Sequence, residues 1–589
     1  MEDSDTGSDA SFKIASVWLE ECRSTHGFCS QYQGGVPKLP SRVIDVGPPD
    51  GSEDPKLYVR GQDETGRYLA LSHRWGESER LRDTKTTKHN YCRNGETKQM
   101  PRIISFSCLP LTFQHAITIT RRFCYRYLWI DSLCIIQDDR EDWAKESQQM
   151  ADIYRRADFT IATIDAEGAD SGCFFPRDGH SIRPCRLDIN RPPAKMDTYF
   201  LNPGKIFASL TARFDHTRAS YRRHSSLDSR GWCLQERALS TRVLSYGKDG
   251  LHWECVTLDA SESIPEGIEP DSGSGDNEYM HALRKEAANI SEIDRHREFR
   301  NAHHSWHLLA QDYSRRELTY DSDRVVALAG IVKNLSGAKN DTCHYGVWEK
   351  HLWRDLMWLV FTKTTILKSF LGGYGTVPPA GPLGRRLPGS IAPSWSWMSV
   401  RGHVCFQASE FNSPEEYQIY SDLSFGDPAA GANPHPTVVA TGVLVEARTC
   451  ACDGSCDAQY AKMVQQDSLH YPREGHIKHL FDAASGQRVA DWFPDAEDEL
   501  PTAVCCIPVA GFAGEIQYLV LVPVEDEKLK GPYYRRVGLA LSRSAKWSDY
   551  CPDHPYKTHR NQVEIFRQEE VGNGDSGSTQ SLIRTIYIV

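Results

Sequence analysis

Residues 68–78 (YLALSHRWGES) decide the fold. A short apolar run ends abruptly in Ser72, His73, Arg74 and Trp75, and the same construction returns at 127–139 (YLWIDSLCIIQDD) and at 159–165 (FTIATID). Apolar runs of this length without alternation mark parallel strands buried on both faces. Their polar ends then fall where open α/β sheets bind ligands. Helical patterns separate the runs. Residues 111–124 place Phe113, Ala116, Ile117 and Cys124 on one face. Residues 138–156 offer Asp138 or Asp139 as cap, Glu141 and Asp142 in the first turn, and Arg155 and Arg156 at the end, an order that suits the helix dipole. Trp143, Met150, Ile153 and Tyr154 form the stripe expected to be buried. A fourth stretch, 229–255 (SRGWCLQERALSTRVLSYGKDGLHWEC), puts the carboxylate of Glu236 on a short helix beside Trp232 and Cys233. It continues as a hairpin turning at residues 247–250.

Working outward, residues 1–60 read as a short amphipathic helix, with Ile14, Val17, Trp18 and Leu19 on its face, followed by a Pro/Gly-rich linker. The α/β domain spans 61–257, with an insertion at about 170–228. An acidic stretch rich in Ser, Gly and Pro, 258–278, reads as a linker. Residues 279–393 read as helical, in segments at 279–318, 322–335 and 348–361. From 394 to 589 short Val/Leu/Tyr runs alternate with turn residues, the texture of a β-rich domain.

The 589 residues exceed what a single core supports. With 40% hydrophobic and 25% charged residues the chain is globular. A net charge of −11 and the absence of a basic stripe argue against nucleic acid as partner. The acidic, polar first residues do not resemble a secretory signal, and no apolar run reaches the length of a membrane span. The 18 cysteines are scattered, as expected of a cytoplasmic chain with reduced thiols.

The blocks YLALSHRWG, LPLTFQHAITITRRFCYRYLWIDSLCIIQDDREDWAKESQQMADIYRRADFTIAT and SRGWCLQERALSTRVLSYGKDGLHWEC resemble the three hallmark blocks of the fungal heterokaryon-incompatibility (HET) domain, over roughly residues 68–255. The resemblance implies non-self recognition and regulated cell death, with protein partners or self-association through the HET domain. A more distant resemblance links SHRWGES and WCLQE to elements of Toll/interleukin-receptor (TIR) domains. It implies a TIR-like, flavodoxin-type parallel sheet, and Glu236 as the catalytic residue of NAD hydrolysis. The insertion before Trp232 and Arg237 depart from the plant TIR pattern. NAD is then a substrate, and no permanently bound cofactor is expected.

The candidate residues carry alternatives. Glu236 stabilises an oxocarbenium-like ribose, or pairs with Arg230 or Arg237. Arg74 holds a pyrophosphate, or pairs with Glu77 or Glu79; Trp75 stacks on a base, or plugs the core. His73 lines the same crevice. Asp131 binds ribose hydroxyls, or caps the next loop. Trp232, four residues before Glu236, walls the pocket. The acids at 138–142 are helix-start charges rather than a metal cluster. Cys22, His26 and Cys29 have zinc-like spacing, but three local ligands fall one short of a structural site, and Cys450, Cys452 and Cys456 share that deficit. No metal is therefore expected. Trp395 and Trp397 alternate as on a strand and are read as packing.

Overall fold

The computed structural model describes residues 5–33, 35–92, 102–177, 225–268, 278–287, 302–360, 384–406, 417–427, 435–449, 478–483, 488–496, 500–512, 515–525, 529, 531–542 and 583–589. The chain divides into two compact units. The first comprises residues 1–294, 316–319 and 326–339, and the second 295–315, 320–325 and 340–589.

The first unit is built on one sheet of ten strands: β1 (Arg42–Asp45), β2 (Lys56–Val59), β3 (Tyr68–Ser72), β4 (Arg102–Ile103), β5 (Tyr127–Trp129), β6 (Thr160–Thr163), β7 (Arg242–Gly247), β8 (Gly250–Cys255), β9 (Asp259–Ser261) and β10 (Ile264–Ile268). Their spatial order is β10-β9-β8-β7-β6-β3-β5-β1-β2-β4. Strands β5, β3, β6 and β7 are parallel, paired as Tyr68 with Tyr127, Ala70 with Thr160, and Thr160 with Val243. Counting only these four, the order is second, first, third, fourth, the flavodoxin-type arrangement. The switch point lies between β3 and β6, so the residues after β3 sit at the natural ligand position. All five residues of β3 are buried, as a strand covered on both faces requires.

The antiparallel additions on both flanks were not expected. β1 and β2 lie within the segment read as helix and linker, and β9 and β10 fall in the supposed acidic linker. Strands of three to five residues are too short to display a period. The rest of that linker, 269–277, and most of the insertion, 178–224, lie outside the described residues.

The helix Arg140–Arg156 starts as anticipated, with the Asp139 side chain accepting from the backbone N–H of Glu141 and Asp142. Its neighbours use the remaining acids: Arg42 reaches Asp142 at 2.6 Å, and Asp138 accepts from the backbone of Lys88. Tyr154 and Tyr68 tie this helix to β3 through Tyr154 Oη to Leu71 O, 3.1 Å, and Tyr68 Oη to Ile153 O, 2.7 Å. Met150, Ile153 and Tyr154 are buried, but Trp143 is only partly so.

The second unit contains a closed ring. Strands Val445–Thr449, Lys478–Asp482, Arg488–Pro494, Tyr533–Ser542, Glu515–Pro523 and Ala503–Phe512 pair successively, and the last returns to the first, all antiparallel. Closure gives each of these six strands a neighbour on both sides, and Ala503–Phe512 and Tyr533–Ser542 pair further, with Gln418–Ile419 and Ile583–Ile588. Ala447, Leu480, Ala490, Trp492, Val504, Cys506, Val520, Val537 and Ala540, drawn from all six strands, form one apolar cluster. Two expectations here change. Among the described residues, 348–360 form not one helix but the end of the strand Val347–Trp348, a 3-10 turn Glu349–His351, the short helix Leu352–Asp355 and the strand Trp358–Val360. Trp397 opens a 3-10 turn rather than a strand, although both Trp395 and Trp397 are fully buried.

Candidate functional site

Strand β3 ends at Ser72, and the next residues form the turn that faces the switch point. Gly76 adopts φ +60, and a Cβ there would lie 2.8 Å from the Cα of Gly168. Two backbones cross at glycines, which no side chain would allow. Ala169 N donates to Trp75 O at 3.1 Å, joining the loops after β3 and β6. The helix Gly231–Leu239 has no side-chain cap; instead Gly231 N donates to Glu317 O at 2.8 Å, and Glu317 N to Ser229 O at 2.6 Å.

Within this frame Glu236 is only 5% exposed, and its Oε2 accepts a short hydrogen bond from Ser72 Oγ. Burial, and next the negative charge of Asp131, push its carboxyl up from 4.5 to about 7, against the opposing pull of the Ser72 hydroxyl and the Arg230 guanidinium. A carboxyl poised near neutrality in a buried polar cluster is a mark of functional sites. The anticipated pairing with Arg237 does not occur. That guanidinium turns to Glu254 at 3.0 Å, where Arg284 also binds at 3.0 Å. Arg230 instead donates to His73 O at 2.9 Å.

His73 is buried, its Nδ1 3.9 Å from Asp131 Oδ1, and its Nε2 has no hydrogen-bond partner among the described residues. Burial drives its pKa down to about 4, so the ring is neutral at pH 7. Asp131 does two jobs: Oδ2 accepts Trp75 Nε1 at 2.8 Å, and Oδ1 accepts the backbone N–H of Ser132 at 2.7 Å. It heads a short helix, Asp131–Cys134, rather than ending the strand. Trp75 is thus fixed by a polar handle, neither a buried plug nor free. Arg74 is half-buried and makes no ion pair with Glu77 or Glu79. Trp232 packs edge-on against Trp143, ring centroids 6.4 Å apart, and is half-buried.

The structure therefore brings His73, Asp131, Arg230 and Glu236 together and adds Ser72 and Tyr154, which sequence reasoning missed as site members. Ser72 was legible as the first polar residue after the β3 run; Tyr154 was hidden in an apolar stripe. Beside them lies a small hollow, with room for about one water molecule, lined by Ser72, Asp228, Cys233 and Arg237 among others; Glu236 is not part of its lining.

Two further polar clusters are buried. Cys22, His26, Cys29 and Cys255 place their donor atoms within 4.8 Å of one another, so the three-residue motif at the N-terminus gains a fourth member. In the second unit, His303 and His307 reach one Asp355 oxygen through Nε2, at 2.6 and 2.7 Å, and the other oxygen accepts Trp348 N at 2.7 Å. Both oxygens of that carboxylate thus have protein partners. Cys450, Cys452 and Cys456 lie outside the described residues.

Residues 68–236 match the family model described as heterokaryon incompatibility protein (HET). The match opens on the first residue of β3 and closes on Glu236. No curated protein and no solved structure matches the chain. Among the described residues no helix is long and apolar enough to cross a membrane.

Proposed function

We propose that this protein is a cytoplasmic signalling protein of heterokaryon incompatibility and cell death, whose α/β unit hydrolyses NAD in the manner of a TIR domain. The HET family match supports the biological role. The observation that carries the chemistry is Glu236, a buried carboxyl held near neutrality beside Ser72 at the carboxyl end of β3. In the reaction the bond between the ribose C1′ and the nicotinamide nitrogen breaks, and its electron pair leaves with neutral nicotinamide. Water oxygen bonds to C1′ and releases a proton, giving ADP-ribose. The Glu236 carboxylate stabilises the oxocarbenium-like ribose. Ser72 orients it, and Arg230 favours its ionised form. Arg74 is the residue for the pyrophosphate, while Trp75 and Trp232 offer ring faces.

Because the carboxylate is the working form, NAD loss should rise with pH through about 7. Glu236→Gln should abolish NAD loss and cell killing while leaving the fold intact. A pH-independent rate, or a Gln variant that still consumes NAD, refutes the catalytic assignment.

A second reading is favoured by the closure of the site: Glu236 is 5% exposed and is not part of the lining of the adjoining hollow. In that reading the domain acts by homotypic docking, without chemistry. Killing that survives Glu236→Gln selects it.

A further inference from the structure

Cys22 lies in the last turn of the helix Asp9–Thr25, His26 caps that helix, and Cys29 sits in the next, Gly27–Gln33. Cys255 closes β8, more than two hundred residues later. Folding brings all four to one point: their sulfur and nitrogen donor atoms lie within 4.8 Å of one another, with Cys255 Sγ 3.5 Å from His26 Nδ1. The three thiols are fully buried, and His26 is partly exposed.

We propose that Cys22, His26, Cys29 and Cys255 bind a structural zinc ion. Tetrahedral zinc, with Zn–S near 2.3 Å and Zn–N near 2.0 Å, sets neighbouring ligand atoms roughly 3.5–3.8 Å apart, and the cluster is already at that spacing for the sulfur–nitrogen pair. The donor chemistry selects the metal. Soft thiolates with one imidazole suit zinc and exclude magnesium and calcium, which demand oxygen. Four protein ligands leave no open position, which is the mark of a structural site.

The surroundings fit an anionic metal–thiolate centre. Three thiolates and a neutral imidazole around a divalent ion leave one excess negative charge. Arg242, 1% exposed, lies against it with Nε 3.0 Å from Cys22 Sγ. That guanidinium is itself held by Gln33 Oε1 at 2.7 Å and Asp158 O at 3.1 Å. Leu258 N donates to Cys255 Sγ at 3.2 Å, and Thr257 Oγ1 lies 3.5 Å from Cys29 Sγ. Outer contacts of this kind orient ligands and tune their basicity. Cys22, His26 and Cys29 precede the HET-matched segment and Cys255, at the end of β8, follows it, so the ion would clasp together the two flanks of that segment. Three local ligands left the motif incomplete in sequence; the sheet supplies the fourth.

The test uses the full chain, purified under reducing conditions and analysed for metal. One zinc per chain is expected. Exchange for Co²⁺ should give the absorption of a tetrahedral thiolate site. Cys255→Ser should lose the metal, and the control Cys173→Ser, a buried thiol outside the cluster, should keep it. Should Cys255→Ser fail to fold, His26→Cys decides: it should retain zinc and shift the cobalt bands toward an all-thiolate site. The proposal is overturned if the reduced chain neither carries nor takes up Zn²⁺ or Co²⁺, if an intact disulfide joins two of the three thiols, or if the cobalt bands of His26→Cys match those of the parent.

Discussion

Two buried carboxylates, one in each unit, have opposite surroundings. Asp495 in the second unit is fully buried and meets two guanidinia, Arg536 Nε at 3.1 Å and Arg386 Nη2 at 3.1 Å. Arg536 spends its other donors on the carbonyls of Leu356 and Trp358 and stacks 3.7 Å over the Trp358 ring. Every charge there has a partner. Glu236 in the first unit is nearly as buried, yet its nearest partner is a hydroxyl, and a second carboxylate, Asp131, opposes its ionisation. Compensated burial serves the fold; uncompensated burial stores a pKa shift that chemistry can use.

The largest effect that would break this contrast is at Asp495. Removing the carboxylate leaves the fully buried Arg536 guanidinium without its counter-charge, so Asp495→Ala should cost about 3–5 kcal/mol. A denaturant titration showing a loss below about 1 kcal/mol would mean the network is decorative.

Glu236 should behave in the reverse sense. The unfolded chain releases this proton near 4.5, while the folded chain keeps it up to about 7. The folded state thus binds the extra proton in that window, and stability falls as pH rises through it, by roughly 3 kcal/mol in all. Glu236→Gln mimics the protonated form. It should leave stability unchanged below pH 4.5 and raise it by up to about 3 kcal/mol at pH 8. Equal stabilities at pH 8 would show that the carboxylate is better solvated than its burial implies.

Smaller effects sharpen the frame around the site. Gly76→Ala meets both a positive φ and the Gly168 backbone, and should cost about 1–3 kcal/mol, with hydrogen exchange accelerated in the loops after β3 and β6. Exchange unchanged in those loops would separate the crossing from the site. Trp143→Ala should cost about 1–2 kcal/mol, less than a fully buried aromatic, because the ring is only partly buried where it packs against the core and meets Trp232 edge-on. A cost of 3 kcal/mol or more in thermal melts would restore the fully buried stripe that periodicity alone suggests.

The residues themselves determined the parallel centre of the first unit. Runs such as YLALS and FTIAT are apolar on both faces, and only a strand covered on both sides satisfies them. The cap and charge order of the helix Arg140–Arg156 were equally local, since capping is settled within three residues. His73, Asp131 and Glu236 could be nominated because strand ends are legible as the places where apolar runs stop. What they touch was not. The choice of Ser72 over Arg237 as partner for Glu236 depends on which way a helix turns against β3, and Glu254 claims Arg237 from another strand. The flanking antiparallel strands, the closed ring of the second unit and the meeting of Cys255 with Cys22, His26 and Cys29 likewise belong to tertiary structure. Each joins segments far apart in the chain, and no local pattern records a partner that only the folded sheet brings within reach.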